Sequence, residues 1–177
     1  MRIVAGRLGG RRITAPPGRD TRPTSDRVRE ALFSTLGPID ELVVLDLFAG
    51  SGALGLEALS RGAARAVFVD RSPRALAAVR ANVEALGVAE QSVVVRADAR
   101  AFLQKASTAG DTYDLAFLDA PYRDAVGLAR ELSLEPVLAP GARVVVESDR
   151  RAPAVLDLPL SHERRYGDTL IRIHTSS

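Results

Sequence analysis

The sequence predicts a doubly wound α/β fold, a mostly parallel sheet flanked by helices and closed by a C-terminal antiparallel hairpin. Three observations predict it. Four apolar runs end in an aspartate: Val43-Val44-Leu45-Asp46, Val67-Phe68-Val69-Asp70, Val93-Val94-Val95-Arg96-Ala97-Asp98 and Leu115-Ala116-Phe117-Leu118-Asp119. Stretches with helical spacing alternate strictly with these runs, and a glycine-rich turn follows the first of them. Runs dense in Val, Leu and Phe read as strands buried on both faces, so their carboxyl ends share one edge of one sheet. Open α/β sheets bind their ligands at that edge.

Each element has its own signal. Arg2-Ile3-Val4 and Arg11-Arg12-Ile13-Thr14 flank Gly6, Gly9 and Gly10, which suggests a hairpin or a loosely paired arm. Pro16, Pro17, Gly18 and Pro23 make residues 15 to 23 an extended linker. Ser25 and Asp26 offer a cap and a first-turn acid to a helix over 25–36, which Gly37-Pro38 stops. Strands are expected near 42–47, 66–70, 92–96, 114–119 and 142–147, with helices near 53–61, 72–86, 99–106 and 124–135. Pro73 suits a first helical turn and Gly87 a helix stop. Residues 161–166 and 169–174 around Gly167-Asp168 read as the closing hairpin. The expected division is a basic arm and linker over 1–23 and a single α/β domain over 24–177.

Composition narrows the function. With 177 residues and 46% hydrophobic content, the chain can bury one core. It has no cysteine, and its only histidines are His162 and His174, so neither a disulfide framework nor a Cys/His metal centre is expected. No apolar run approaches the roughly 20 residues of a membrane span, and no signal-peptide core stands at the N-terminus. A cytoplasmic protein is the expectation. Residues 1–30 hold eight arginines against three acids, a net +5, so the remainder carries −3 of the total +2. A basic arm on a mildly acidic body is the footprint of a nucleic-acid binder.

After the first strand comes Asp46-Leu47-Phe48-Ala49-Gly50-Ser51-Gly52-Ala53-Leu54-Gly55. Gly50, Gly52 and Gly55 satisfy G-x-G-x-x-G between a strand and a helix. A dinucleotide would set its pyrophosphate on that helix N-terminus, where Asp46 opposes it. S-adenosylmethionine has no phosphate and presents a sulfonium, an ammonium and a ribose diol, all favoured by carboxylates. Asp70 is suited to the ribose hydroxyls and Asp98 to the adenine amine. Each of these aspartates could instead be a simple helix cap.

The fourth strand runs into Asp119-Ala120-Pro121-Tyr122. An exocyclic amine on a nucleobase is a weak nucleophile, because its lone pair is delocalised into the ring. Asp119 and the Ala120 carbonyl can accept its two hydrogens, and Tyr122 can stack on an extruded base.

On these residues the chain resembles the class I, Rossmann-like S-adenosylmethionine-dependent methyltransferases, and more narrowly the RsmD family of 16S rRNA guanine-N2 methyltransferases. The resemblance rests on Met1-Arg2-Ile3-Val4-Ala5-Gly6, on residues 22–33 (RPTSDRVREALF) and on residues 48–62 (FAGSGALGLEALSRG). It implies that Phe48, Ser51, Arg71 and Ala99 join Asp46, Gly50, Gly52, Asp70, Asp98 and Asp119 around the cofactor. It also implies that Asp119, Ala120, Pro121 and Tyr122 form the catalytic segment. The family signature there is Asp-Pro-Pro followed by Tyr or Phe, and Ala120 departs from it. Alanine keeps the acceptor carbonyl but gives up the rigidity of proline, so slower or looser chemistry is expected. The substrate implied is 16S rRNA in an assembled or assembling small ribosomal subunit, with Arg2, Arg7, Arg11 and Arg12 meeting phosphates and Arg22 and Arg27 near the cofactor mouth. A monomer is expected. The competing readings are an amine methyltransferase acting on another RNA or on DNA adenine, a non-catalytic ribosome assembly factor, and an NAD-dependent oxidoreductase.

Overall fold

A computed structural model describes residues 1–16, 25–120 and 132–177. In chain order the regular elements are α1 (Asp26–Leu36), β1 (Val43–Leu47), α2 (Ala53–Ser60), β2 (Arg65–Asp70), α3 (Pro73–Leu86), β3 (Ser92–Arg96), α4 (Ala99–Ala109), β4 (Tyr113–Leu118), β5 (Leu138–Asp149), β6 (Leu160–Tyr166) and β7 (Thr169–Thr175). The helix expected near 124–135 lies outside the described residues up to 131, and residues 135–137 form a short 3-10 turn. No helix among the described residues is long and apolar enough to cross a membrane.

Local chemistry accounts for the helix boundaries. The Ser25 and Ser72 hydroxyls accept the Val28 and Ala75 amides at the starts of α1 and α3, and the Asp98 carboxylate accepts the Arg100 and Ala101 amides at the start of α4. Pro73 occupies the first turn of α3, where its missing N–H costs nothing. Gly87 ends that helix in the left-handed conformation.

The seven strands form one sheet in the order β3-β2-β1-β4-β5-β7-β6. β1 to β5 pair in parallel, and β7 joins β5 and β6 antiparallel. Strand order therefore reverses at β1, with β2 and β3 on one side and β4 and β5 on the other. The crevice between β1 and β4 is the topological switch point where α/β sheets take ligands. On one face Val44, Phe68 and Phe117 pack against α1, α2 and α3, and the Phe33 and Phe117 rings lie 5.7 Å apart. On the other, Leu45, Leu47, Val69 and Leu118 meet Phe102 and Leu103 of α4. Gly55 lets α2 lie flat on the sheet, since a Cβ there would stand 2.4 Å from Phe68 Cε1.

The N-terminal hairpin is reduced to a single antiparallel bridge, Arg2 to Arg12, and it is not loose. Ile3, Leu8 and Ile13 are buried in the same core as α2 and α3. Their neighbours turn back on themselves through the Ile3 amide to the Arg11 carbonyl at 2.9 Å and the Ile13 amide to the Met1 carbonyl at 3.0 Å. The fully buried carboxylate of Glu57 on α2 accepts the Val4 amide at 2.7 Å and the Ala5 amide at 3.0 Å. It is also paired with Arg61 at 2.8 Å, whose guanidinium lies over the Phe33 ring. Ser60 Oγ accepts the Leu8 amide and donates to the Ala5 carbonyl. At this contact Gly6 is required, because a Cβ would stand 2.0 Å from the Ser60 carbonyl oxygen.

Candidate active site

The turn after β1 is held together by the carboxylates around it. Phe48 takes a left-handed conformation, φ 78°, which is costly for an aromatic residue and persists only where surroundings impose it. Here the amides of Phe48 and Ala49 both donate to the Val69 carbonyl, at 2.9 and 3.0 Å, turning the chain sharply over the end of β2. Asp70 then accepts the Gly50 amide at 3.0 Å on one oxygen and the Ser72 amide at 2.8 Å on the other. The Gly52 amide donates to the Ala49 carbonyl. Asp46, only 2% exposed, accepts the Gly55 amide at 3.0 Å. The amides of Gly50, Gly52 and Gly55 are thus all engaged within the protein, two of them by carboxylates. A pyrophosphate would find neither those donors nor a favourable field, whereas a cation or a hydroxyl donor would.

Burial pushes the Asp46 carboxyl up to about 7 against the Gly55 hydrogen bond, and the Asp70 charge adds to the rise. Its folded value lies above its unfolded value of 3.8, so ionising it opposes folding. That cost is absent below the unfolded value, grows as pH rises towards about 7, and is constant above. We expect Asp46→Asn, which keeps an acceptor for the Gly55 amide, to melt higher than the unsubstituted protein at about pH 8, with the gap closing towards about pH 4. Melting curves that stay parallel across that range would contradict this account of Asp46.

Asp119 follows β4 directly, and the pairing of Leu47 with Leu118 sets it across the β1/β4 crevice from the turn. Burial, then the carboxylates of Glu147 and Asp46, hold its carboxyl well above the usual range. Glu147, buried near the end of β5, follows Val146, the partner of Leu118, and so sits at the level of Asp119. It is a fifth acid at this sheet edge. Its signal lies in the sequence, since Val144-Val145-Val146-Glu147 repeats the pattern of an apolar run ending in an acid. The Ala120 side chain is buried against the α4-side core.

The structure therefore gathers Asp46 of β1 and Asp70 at the end of β2 around the turn that carries Phe48, Gly50, Ser51 and Gly52, sets Arg71 after β2 and Asp98 and Ala99 after β3, and places Asp119 and Ala120 across the crevice. Asp98 is exposed and its Oδ1 caps α4. Pro121, Tyr122 and Arg22 lie outside the described residues. The arm arginines do not act as one group. Arg2 pairs with Asp26 at the start of α1. Arg7 and Arg11 instead reach Gln91 Oε1 and the Ala85 carbonyl, beside the amino end of β3 and away from the site. Arg12 and Arg27 are exposed.

The family model described as "Conserved hypothetical protein 95" matches residues 1–175. The ribosomal RNA small subunit methyltransferase D of Escherichia coli K12 is 40% identical over 154 residues, 84% of this chain and 75% of that protein. The chain belongs to the RsmD family of rRNA methyltransferases. Another relative, YlbH of Bacillus subtilis, is 37% identical over 180 residues and covered to 98% on both sides. A solved structure of a Thermus thermophilus protein superposes with a TM-score of 0.85 at 33% identity, over 98% of each chain. The RsmD-family match spans the arm as well as the sheet, in keeping with an arm that is packed into the core.

Proposed function

We propose that the protein transfers a methyl group from S-adenosylmethionine to the exocyclic N2 amine of a guanine in 16S rRNA, on the assembled or assembling small subunit. The observation that carries this reading is the pairing of a carboxylate-held glycine turn with Asp119 across the β1/β4 crevice. When bound, S-adenosylmethionine supplies an electrophilic methyl group on a sulfonium. Asp46 offers a buried anion to the cofactor's ammonium, Asp70 can accept from the ribose hydroxyls beside its bonds to Gly50 and Ser72, and the second oxygen of Asp98 can accept from the adenine amine. Phe48, Ser51, Arg71 and Ala99 line the same cradle.

On the substrate side, Asp119 and the Ala120 carbonyl accept the two amine hydrogens, which orients the nitrogen lone pair along the line of transfer. Transfer would form the carbon–nitrogen bond as the carbon–sulfur bond breaks to release a neutral thioether, leaving the nitrogen with one proton too many. Asp119, held above the ordinary carboxylate range, is a better base for that proton than an exposed carboxylate would be. Pro121 and Tyr122 complete the segment, with Tyr122 stacking on the extruded base. Residues 1–23 form the RNA-contacting part and residues 24–177 the methyltransferase domain, working as a monomer in the cytoplasm. Arg2, Arg7, Arg11, Arg12, Arg22 and Arg27 meet phosphates, so affinity falls with salt.

Transfer of tritiated methyl groups to small subunits, free 16S rRNA and duplex DNA, with nucleoside mapping of the products, tests the reading. We expect N2-methylguanine from small-subunit substrates. Label appearing only in DNA adenine would overturn it, and an absence of label alongside RNA binding would identify an assembly factor.

A further inference from the structure

Asn82, on the third turn of α3, is 3% exposed and uses its amide on two separate segments. Its Oδ1 accepts the Thr14 amide at 2.8 Å and its Nδ2 donates to the Thr14 carbonyl at 2.8 Å, so the side chain pairs with the end of the arm much as a neighbouring strand would. The same Nδ2 donates to the Ser51 carbonyl at 2.9 Å, in the middle of the glycine turn. A second contact runs in parallel, from the Ser51 hydroxyl to the Met1 sulfur at 3.8 Å. Gly52, next in the turn, would bring a Cβ within 3.3 Å of Val79, one helical turn before Asn82. One buried amide therefore joins the arm, α3 and the turn, and no water path is needed between them.

Energetic coupling needs a physical element that both ligands bias. A displacement of Thr14 costs two hydrogen bonds to Asn82, and Asn82 cannot turn to follow Thr14 without releasing Ser51. Orphaning a buried amide or carbonyl costs about 1–3 kcal/mol, so the cheapest arrangement moves or fixes the three groups together. We propose that Asn82 is a positioning residue that couples engagement of the N-terminal arm by RNA to the affinity of the glycine turn for the cofactor. This rests on the assignment of the turn to S-adenosylmethionine and of the arm to RNA. Fixing the arm on RNA holds Thr14, hence Asn82, hence the Ser51 carbonyl, and the turn loses less freedom when the cofactor binds.

The test measures binding of radiolabelled S-adenosylhomocysteine to the full chain, with and without saturating small ribosomal subunits that lack the modification. For the unsubstituted protein we expect subunits to tighten binding by roughly tenfold, inside the range usual for coupled sites. In Asn82→Ala the ratio should fall to within about twofold of unity. Thr14→Pro removes the amide that donates to Asn82 Oδ1 and keeps the carbonyl that accepts from Asn82 Nδ2. It should lower the same ratio while leaving affinity in the absence of subunits near the unsubstituted value, and it carries the test if Asn82→Ala does not fold. A merely structural Asn82 would weaken binding equally in both conditions and leave the ratio intact, which overturns the proposal. Tight binding of S-adenosylhomocysteine that subunits never enhance overturns the coupling alone. No binding of S-adenosylhomocysteine under either condition overturns the cofactor assignment as well.

Discussion

Replacing Asp119 by alanine is expected to abolish methyl transfer while S-adenosylmethionine binding survives. The carboxylate stands beyond β4, across the crevice from the turn, so its loss leaves in place the hydrogen bonds that the Gly50 and Gly55 amides donate to Asp70 and Asp46. The group lost is the acceptor proposed to hold the amine and take its proton. Losing a positioned acceptor and base together costs at least about 100-fold to 10,000-fold in turnover. Removing one carboxylate from beside Glu147 and Asp46 also relieves repulsion, so the variant should fold at least as well as the original. Single-turnover transfer and calorimetric cofactor binding on the same preparation separate the two effects. Turnover close to that of the unsubstituted protein would remove Asp119 from the chemistry.

Truncation of residues 1–14 is the second large effect, and the structure changes its expected outcome. A detachable basic arm would lose RNA affinity and leave cofactor affinity intact. The observed arm contributes Ile3, Leu8 and Ile13 to the core, each about 1.5–3 kcal/mol of burial. It also supplies two of the donors to the buried Glu57 carboxylate. Stripping partners from a buried charge costs about 3–5 kcal/mol more. Against a total stability of about 5–15 kcal/mol, the truncated chain should be largely unfolded at ambient temperature and should lose both ligands together. Denaturant titration of the truncated chain checks this. Charge reversal at exposed Arg12 is the cleaner probe of RNA contact, because it leaves the buried face untouched.

The contrast between arm and sheet shows what a sequence can carry. Strand and helix limits are legible because buried parallel strands have a composition, and because Ser25, Pro73, Gly87 and Asp98 punctuate helices through bonds only a few residues long. The turn is legible for the same local reason. Docking of the arm is not, since Ile3, Leu8 and Ile13 are spaced by five residues, which matches neither the strand nor the helix period. The links of Glu57 and Asn82 to the arm are illegible because the arm residues they hold lie 52 or more and 68 residues away. Inside an amphipathic helix pattern, each reads as an ordinary polar position. Glu147 escapes notice although its signal is local, because it lies within β5 and ends its run in glutamate.

Reversal of strand order at β1 has a consequence for how such an enzyme can change. Apart from Asp119, every residue assigned to the methyl donor hangs on β1, β2 and β3, and the residues proposed to grip the acceptor hang on β4 and the segment after it. A lineage can therefore rewrite the segments after β4 and β5 to suit a new acceptor and inherit the donor half unaltered. The same seam is where an engineer would cut to build a chimera with a new target.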